Sequence, residues 1–205
     1  MKKSFFILIT VVLGMTSSVF AIPSRDSMKV PDVTDPYNPP DFIIGPTEEP
    51  VGDHLTTNAP DECDIRGIIS CYDSNKLRVD ILLNFSVKNK FEVWYAVIFE
   101  YADISQYFTY YPSSNTLVYK KEKDGKVMDT QTLAMDSTAD FAGVSSCGDE
   151  KNTLIYFVID KNKHIGGNKG TRYYLTTYFY SGYVNTSNQM TIADETIPVN
   201  LYFVK

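Results

Sequence analysis

The stretch Phe91-Glu92-Val93-Trp94-Tyr95-Ala96-Val97-Ile98-Phe99-Glu100-Tyr101 decides the fold. Phe91, Val93, Tyr95, Val97 and Phe99 fall on one side of an extended chain, and Glu92, Trp94, Ala96, Ile98 and Glu100 on the other. A helix would scatter these residues around its axis, whereas a period of two belongs to a strand with two unlike faces. Working outward, Leu77-Arg78-Val79-Asp80-Ile81-Leu82-Leu83 alternates in the same way. Residues 116–121, 126–135 and 141–146 read as further strands, with Lys123-Asp124-Gly125-Lys126 as a hairpin turn. Leu154-Ile155-Tyr156-Phe157-Val158-Ile159 is apolar throughout, as a central strand is. Residues 172–181 and 197–203 complete the set, and Pro198 assigns the last to an edge, because proline cannot donate to a ladder. The cluster Tyr107-Phe108-Thr109-Tyr110-Tyr111-Pro112 reads as an aromatic rim loop or an edge strand. No stretch shows a helical period of useful length, and no repeat of fixed period is visible. The expectation is an all-β chain: a single antiparallel β-sandwich of about nine strands.

The N-terminal part has a different texture. Lys2 and Lys3 precede an apolar run from Phe5 to Leu13, then small residues lead to Val19-Phe20-Ala21. That order is the pattern of a secretory signal cleaved after Ala21, which predicts a secreted or periplasmic protein. The apolar run is shorter than the roughly 20 residues a membrane-spanning helix needs, and no later run is long enough, so no transmembrane anchor is expected in the mature chain. Residues 22–62 hold eight of the ten prolines, nine acids and two bases, and read as an extended acidic linker that buries little. Phe42-Ile43-Ile44 is its one apolar spot, able to dock on the domain or on a partner. The sandwich domain is then 63–205.

The 205-residue chain has 19 Lys+Arg against 25 Asp+Glu. The linker carries that excess, since residues 63–205 hold 15 bases and 16 acids. No basic patch is available to neutralise phosphates, so nucleic acid is not an expected partner. Catalysis is not expected either. Of two histidines, His54 falls in the linker and His164 in the loop Asp160-Lys161-Asn162-Lys163-His164-Ile165-Gly166-Gly167, where it reads as plain surface. Nucleophilic chemistry needs a base held by a third group, and no Gly-x-Ser-x-Gly elbow occurs. The same loop fails as a calcium hand because its sixth position is Ile165. The cysteines Cys63, Cys71 and Cys147 lack metal-ligand spacing, and no cofactor is implied. Export permits a disulfide. Cys63 and Cys71 would lie about 26 Å apart along one strand, beyond bridging range. Cys71 and Cys147 both stand beside turn sequences, so Cys71–Cys147 is the preferred pair and Cys63 the spare, with three reduced thiols as the alternative.

Function rests on the aromatics: 15 Tyr, 12 Phe and 1 Trp, of which 23 fall within residues 63–205. In 172–181, Tyr173, Leu175, Thr177 and Phe179 alternate with Tyr174, Thr176, Tyr178 and Tyr180. If the first set faces the core, Tyr174, Tyr178 and Tyr180 stand in a row outside, and Trp94 joins them if the two strands are neighbours. A tyrosine offers a flat apolar ring and a hydroxyl, which suits sugar stacking or protein contact. Cross-strand aromatics also stabilise sheets for their own sake. Two classes therefore stay open: a binding module for polysaccharide, and a structural or adhesion component that contacts a cell-surface protein.

Asp64-Ile65, the turn at Asp73-Ser74-Asn75-Lys76, the long Tyr/Val-rich strand 91–101 and Ile192-Ala193-Asp194-Glu195-Thr196-Ile197-Pro198 resemble the DOMON-like sandwich superfamily. That group includes the family-nine carbohydrate-binding modules. The resemblance spans residues 64–204 and implies sugar or haem binding. Many members carry Asp-x-Asp just after the third strand, where this chain has Glu100-Tyr101-Ala102-Asp103, so no ligand role carries over to those residues.

Overall fold

A computed structural model describes residues 44–48, 55, 58–72, 76–83, 92–135, 140–146, 153–164, 172–196 and 198–204. The strands are β1 (Ile44–Glu48), β2 (Ile65–Tyr72), β3 (Lys76–Leu83), β4 (Val93–Tyr101), β5 (Ile104–Tyr111) and β6 (Thr116–Lys123). They continue as β7 (Lys126–Leu133), β8 (Phe141–Ser146), β9 (Thr153–Asp160), β10 (Arg172–Val184), β11 (Met190–Glu195) and β12 (Val199–Val204). A single turn of helix, α1 (Lys161–His164), follows β9. Two antiparallel sheets result. One has five strands in the order β1-β2-β3-β9-β8; the other has seven, in the order β11-β10-β4-β5-β6-β7 with β12 also on β10. The sandwich expected from the alternation is the architecture found.

The interior is lined by alternate residues of the central strands, whereas β7 buries only Leu133. Val93, Tyr95, Val97 and Phe99 of β4 meet Leu77, Val79, Ile81 and Leu83 of β3 and Ile155, Phe157 and Ile159 of β9 in one buried cluster. Tyr110 of β5 crosses from the larger sheet to pack edge-on against Phe157 of the smaller, ring centres 6.4 Å apart. Phe108 packs against Phe99 at 5.8 Å and Tyr119 at 5.1 Å. Truncating a buried aromatic of this kind costs about 3–5 kcal/mol.

Three segments differ from the sequence expectation. The aromatic cluster Tyr107–Tyr111, with Pro112 opening the turn that follows it, is neither rim loop nor edge. It belongs to β5, an interior strand between β4 and β6, because Gln106, Phe108 and Tyr110 point inward while Tyr107, Thr109 and Tyr111 point outward. Residues 190–195 form β11, which pairs with β10 from Tyr180 to Val184, while β12 pairs with β10 from Arg172 to Thr177. β11 and β12 are thus successive segments along the same edge of β10, with Pro198 at the break between them, as an edge position allows. Within the expected linker, β1 pairs with β2, and Leu55 donates its N–H to Ala193 O at 2.8 Å. The turn at Asp124-Gly125 has both residues at positive φ (50° and 71°), as a two-residue hairpin requires.

Two polar fastenings join the sheets at their ends. A 3-10 turn at Asp61–Cys63 leads into β2. Tyr95 donates its hydroxyl to Glu62 O at 2.7 Å, Ser181 donates to Cys63 O, and Ile65 N–H donates to the Asp194 carboxylate at 2.8 Å. Cys63 is a free, fully buried thiol whose pKa burial, then the Glu62 charge, pushes up to about 12. The expected Cys71–Cys147 bridge is not observed, because Cys147 and the Cys71 side chain lie outside the described residues. The ladder places Cys71 in one row with Arg78, Val158 and Phe141, whereas Ser146 stands at the far end of β8. That separates the Cys71 and Ser146 backbones by about 17 Å along the strands and about 14 Å across them.

The second fastening corrects the reading of His164 as surface. His164 is 6% exposed and sits on α1, its ring edge-on to Phe108 at 4.9 Å and tilted on Tyr119 at 4.7 Å. Its Nε2 lies 2.7 Å from Asp140 Oδ2, which also accepts from Lys163 Nζ at 2.9 Å; Oδ1 accepts from the Asp160 N–H at 2.8 Å. Burial alone would raise the Asp140 pKa, but the hydrogen bonds from His164, Asp160 and Lys163 hold it down to about 2. A depressed carboxylate stabilises the fold fully above its unfolded pKa of about 3.9 and loses that stability as pH falls through the folded value. Acid unfolding followed by circular dichroism should therefore show about 2 kcal/mol lost between about pH 4 and pH 2. Asp140→Asn should flatten that limb; an unchanged slope would show that Asp140 is not held in its charged form.

Candidate functional site

The two outer faces of the sandwich differ. On the five-stranded sheet, Arg78 Nε donates to Asp80 Oδ1 at 2.7 Å, and the guanidinium stands 5.3 Å from the centre of the Tyr156 ring. Both charged groups are buried, and Leu82, Leu154, Ile69 and Tyr156 pack beside them. Desolvation pushes the Asp80 carboxyl up to about 6 in spite of Arg78. Among the described residues, this arrangement offers no open binding surface.

The outer face of the seven-stranded sheet is built from rows set by register. One row runs Tyr178, Ile98, Tyr107, Lys120 across β10, β4, β5 and β6. The next runs Glu195, Tyr180, Ala96, Thr109, Val118, beginning on β11. On the other side lies Asn200, Thr176, Glu100, Ser105, Glu122, beginning on β12. Strands stand about 4.8 Å apart and alternate rows about 6.8 Å, so these side chains are neighbours.

Tyr178 and Tyr180 are both half-buried, with ring centres 6.4 Å apart and planes within 20° of parallel. The short Ala96, 4% exposed, lies opposite Tyr180 as part of the floor. The charge of Glu100, in the row beside Tyr178, raises that phenol's pKa more than burial does. Tyr180 is raised first by burial and then by the charges of Glu195 and Glu100. Ser105 donates to Glu100 Oε1 at 3.3 Å. Two strands away, Tyr107 donates its hydroxyl to Glu122 Oε2 at 2.8 Å, and Lys120 Nζ lies 2.9 Å from Glu122 Oε1 and 3.9 Å from the centre of the Tyr107 ring. Burial, then the bond to Glu122, pushes Tyr107 up to about 12, while Lys120 and Tyr107 together lower Glu122.

Of the four residues expected from sequence, Tyr178 and Tyr180 stand together at the surface. Trp94 lies on the strand expected to neighbour them, opposite Gly182, but it is only 5% exposed and so forms part of the foundation rather than an exposed platform. Tyr174 pairs with Tyr202 of β12 in the ladder, and its side chain lies outside the described residues. Sequence reading missed Tyr107, Lys120, Glu122 and Glu195. The first three follow the same period of two, but β5 carries aromatics on both faces, which hides its alternation. Among the described residues, no group of three or more His, Cys, Asp or Glu side chains is placed to hold a metal, and no helix is long and apolar enough to cross a membrane.

No family model matches the chain, and no curated protein matches it. Among solved structures it is similar to a "putative carbohydrate-binding protein" from Bacteroides uniformis ATCC 8492, with a TM-score of 0.45 and 10% identity, covering 76% of this chain and 78% of that one. A likeness at that level carries no argument about ligand.

Gly182 keeps the face in order. A Cβ there would overlap Cζ2 and Cε2 of Trp94 and the carbonyl oxygen of Thr191, so the indole packs where only glycine leaves room. Gly182→Ala should expel Trp94 from its seat at a cost of about 1–3 kcal/mol, as overpacking does. Intrinsic tryptophan emission should shift to the red and urea unfolding should come earlier; native-like emission and midpoint would show that the seat is slack.

Proposed function

We propose that this chain is an exported, non-catalytic binding module that takes carbohydrate on the outer face of its seven-stranded sheet. The observation that carries the reading is the near-parallel pair Tyr178 and Tyr180 with a carboxylate, Glu100, in the row beside Tyr178. A pyranose ring has an apolar C–H face that stacks on a phenol ring and a rim of hydroxyls that donate to carboxylates. Tyr107, Thr109 and Ser105 extend the same surface across the sheet with further hydroxyls. The reading includes removal of residues 1–21 on export to a secreted or periplasmic location, an acidic Pro-rich segment over 22–62 that lends β1 to the five-stranded sheet, and a DOMON-like sandwich built chiefly from 63–205.

A second reading draws on the neighbouring corner of the same face. Met190 and Ile192 of β11 are 55% and 44% exposed, and the Tyr111 hydroxyl reaches Met190 Sδ at 3.5 Å. An apolar corner beside an aromatic face also fits protein contact, either with a cell-surface protein or in adhesion.

Affinity electrophoresis through gels containing different polysaccharides separates the two. Retardation by at least one polysaccharide in the presence of a calcium chelator, reduced about tenfold or more in Tyr178→Ser/Tyr180→Ser, is expected, because loss of stacking removes on the order of 1–2 kcal/mol. Free migration in every gel, joined to self-association that the same double variant abolishes, would favour protein contact instead.

A further inference from the structure

The outer face of the seven-stranded sheet already holds one ammonium group. Lys120 Nζ sits over the Tyr107 ring at 3.9 Å and against Glu122 at 2.9 Å, so ring face and carboxylate share one cation. Tyr178 and Tyr180, on β10, repeat the other two components without the third. Their rings are stacked, centres 6.4 Å apart and planes within 20° of parallel, with Glu195 opposite Tyr180 on β11 and Glu100 in the next row beside Tyr178 on β4, and both charges raise tyrosine pKa values. Among the described residues, the ion pairs of the chain leave Glu100 and Glu195 without a basic partner. The three rows of this face together carry the acids Glu100, Glu122 and Glu195 against one base, Lys120, which is spent on Glu122.

We infer that the Tyr178–Tyr180 site, with Glu100 and Glu195, takes an amino-bearing sugar, so that the glycan bound on this face is a polymer of deacetylated hexosamine. This rests on the carbohydrate reading given above. A protonated amine on a sugar ring completes the arrangement that Lys120 completes at Tyr107: the ring stacks, the ammonium lies over a phenol face, and a carboxylate takes its N–H donors. A uronate or sulfated chain would bring like charge against two carboxylates that have no basic partner among the described residues. An N-acetylated chain keeps the stacking and loses the ion pair.

The test is calorimetric titration of the full chain, at about pH 5.5, with a glucosamine oligomer and with its N-acetylated counterpart of equal length. The glucosamine oligomer should bind about tenfold or more tighter, the preference should shrink in high salt, and Glu100→Gln/Glu195→Gln should bring the two ligands level. The thermal midpoint of that variant should stay near the parent's, since Glu195 is exposed and Glu100 half-buried. Equal binding of both oligomers, or an amine preference that survives the double substitution, overturns the inference and leaves the carbohydrate reading standing. Binding of neither oligomer, nor of any neutral or acidic polysaccharide, overturns both. Tight binding of oligolysine, abolished by the double substitution, with no binding of glucosamine, assigns the site to a protein ligand and overturns the sugar class.

Discussion

A β-strand turns alternate side chains to opposite faces, and this constraint governs β10 more than any other element. Leu175, Thr177, Phe179 and Ser181 go into the interior, so Thr176, Tyr178, Tyr180 and Gly182 must stand on the outside. Moving the register by one residue would bury the tyrosines and expose Leu175 and Phe179. β4 answers with the same discipline: Tyr95, Val97 and Phe99 go inward, and Ala96, Ile98 and Glu100 outward beneath and beside the tyrosines. Core packing and the tyrosine-bearing outer face are therefore two consequences of one pairing.

The face is held from below. Trp94 fills the space that Gly182 leaves, and the Asp61–Cys63 turn is tied by Tyr95 and Ser181 to the inner sides of β4 and β10. At the other end of the sandwich, His164 wedges between Asp140 and the rings of Phe108 and Tyr119, fixing β5 and β6 from within. Side chains seated on such a frame lose little further freedom when a ligand arrives, which favours affinity. The smaller sheet shows the contrast. Its outer face turns its charges on each other, Arg78 on Asp80, and buries both.

The local pattern was enough to read the two-faced strands 77–83 and 91–101, the Asp124-Gly125 turn and the edge position marked by Pro198. The hidden parts depend on partners distant in sequence. His164 reads as a loop residue among lysines, and only Asp140, 24 residues earlier, makes it a buried one. Trp94 reads as a platform residue until Gly182 is brought opposite it. Tyr107 belongs to a strand whose aromatics on both faces hide its alternation, and its meeting with Lys120 and Glu122 is set by the β5–β6 register, which no local period encodes.

The claim that the outer face of the seven-stranded sheet is the working surface is tested most directly by amide chemical-shift mapping while an oligosaccharide that the chain retains is titrated in. Shifts should concentrate on Tyr178, Tyr180, Ala96, Thr109 and Lys120, leaving Arg78, Asp80 and Tyr156 unmoved. Shifts confined to the five-stranded sheet, or none on β10 and β4 at saturation, would contradict it.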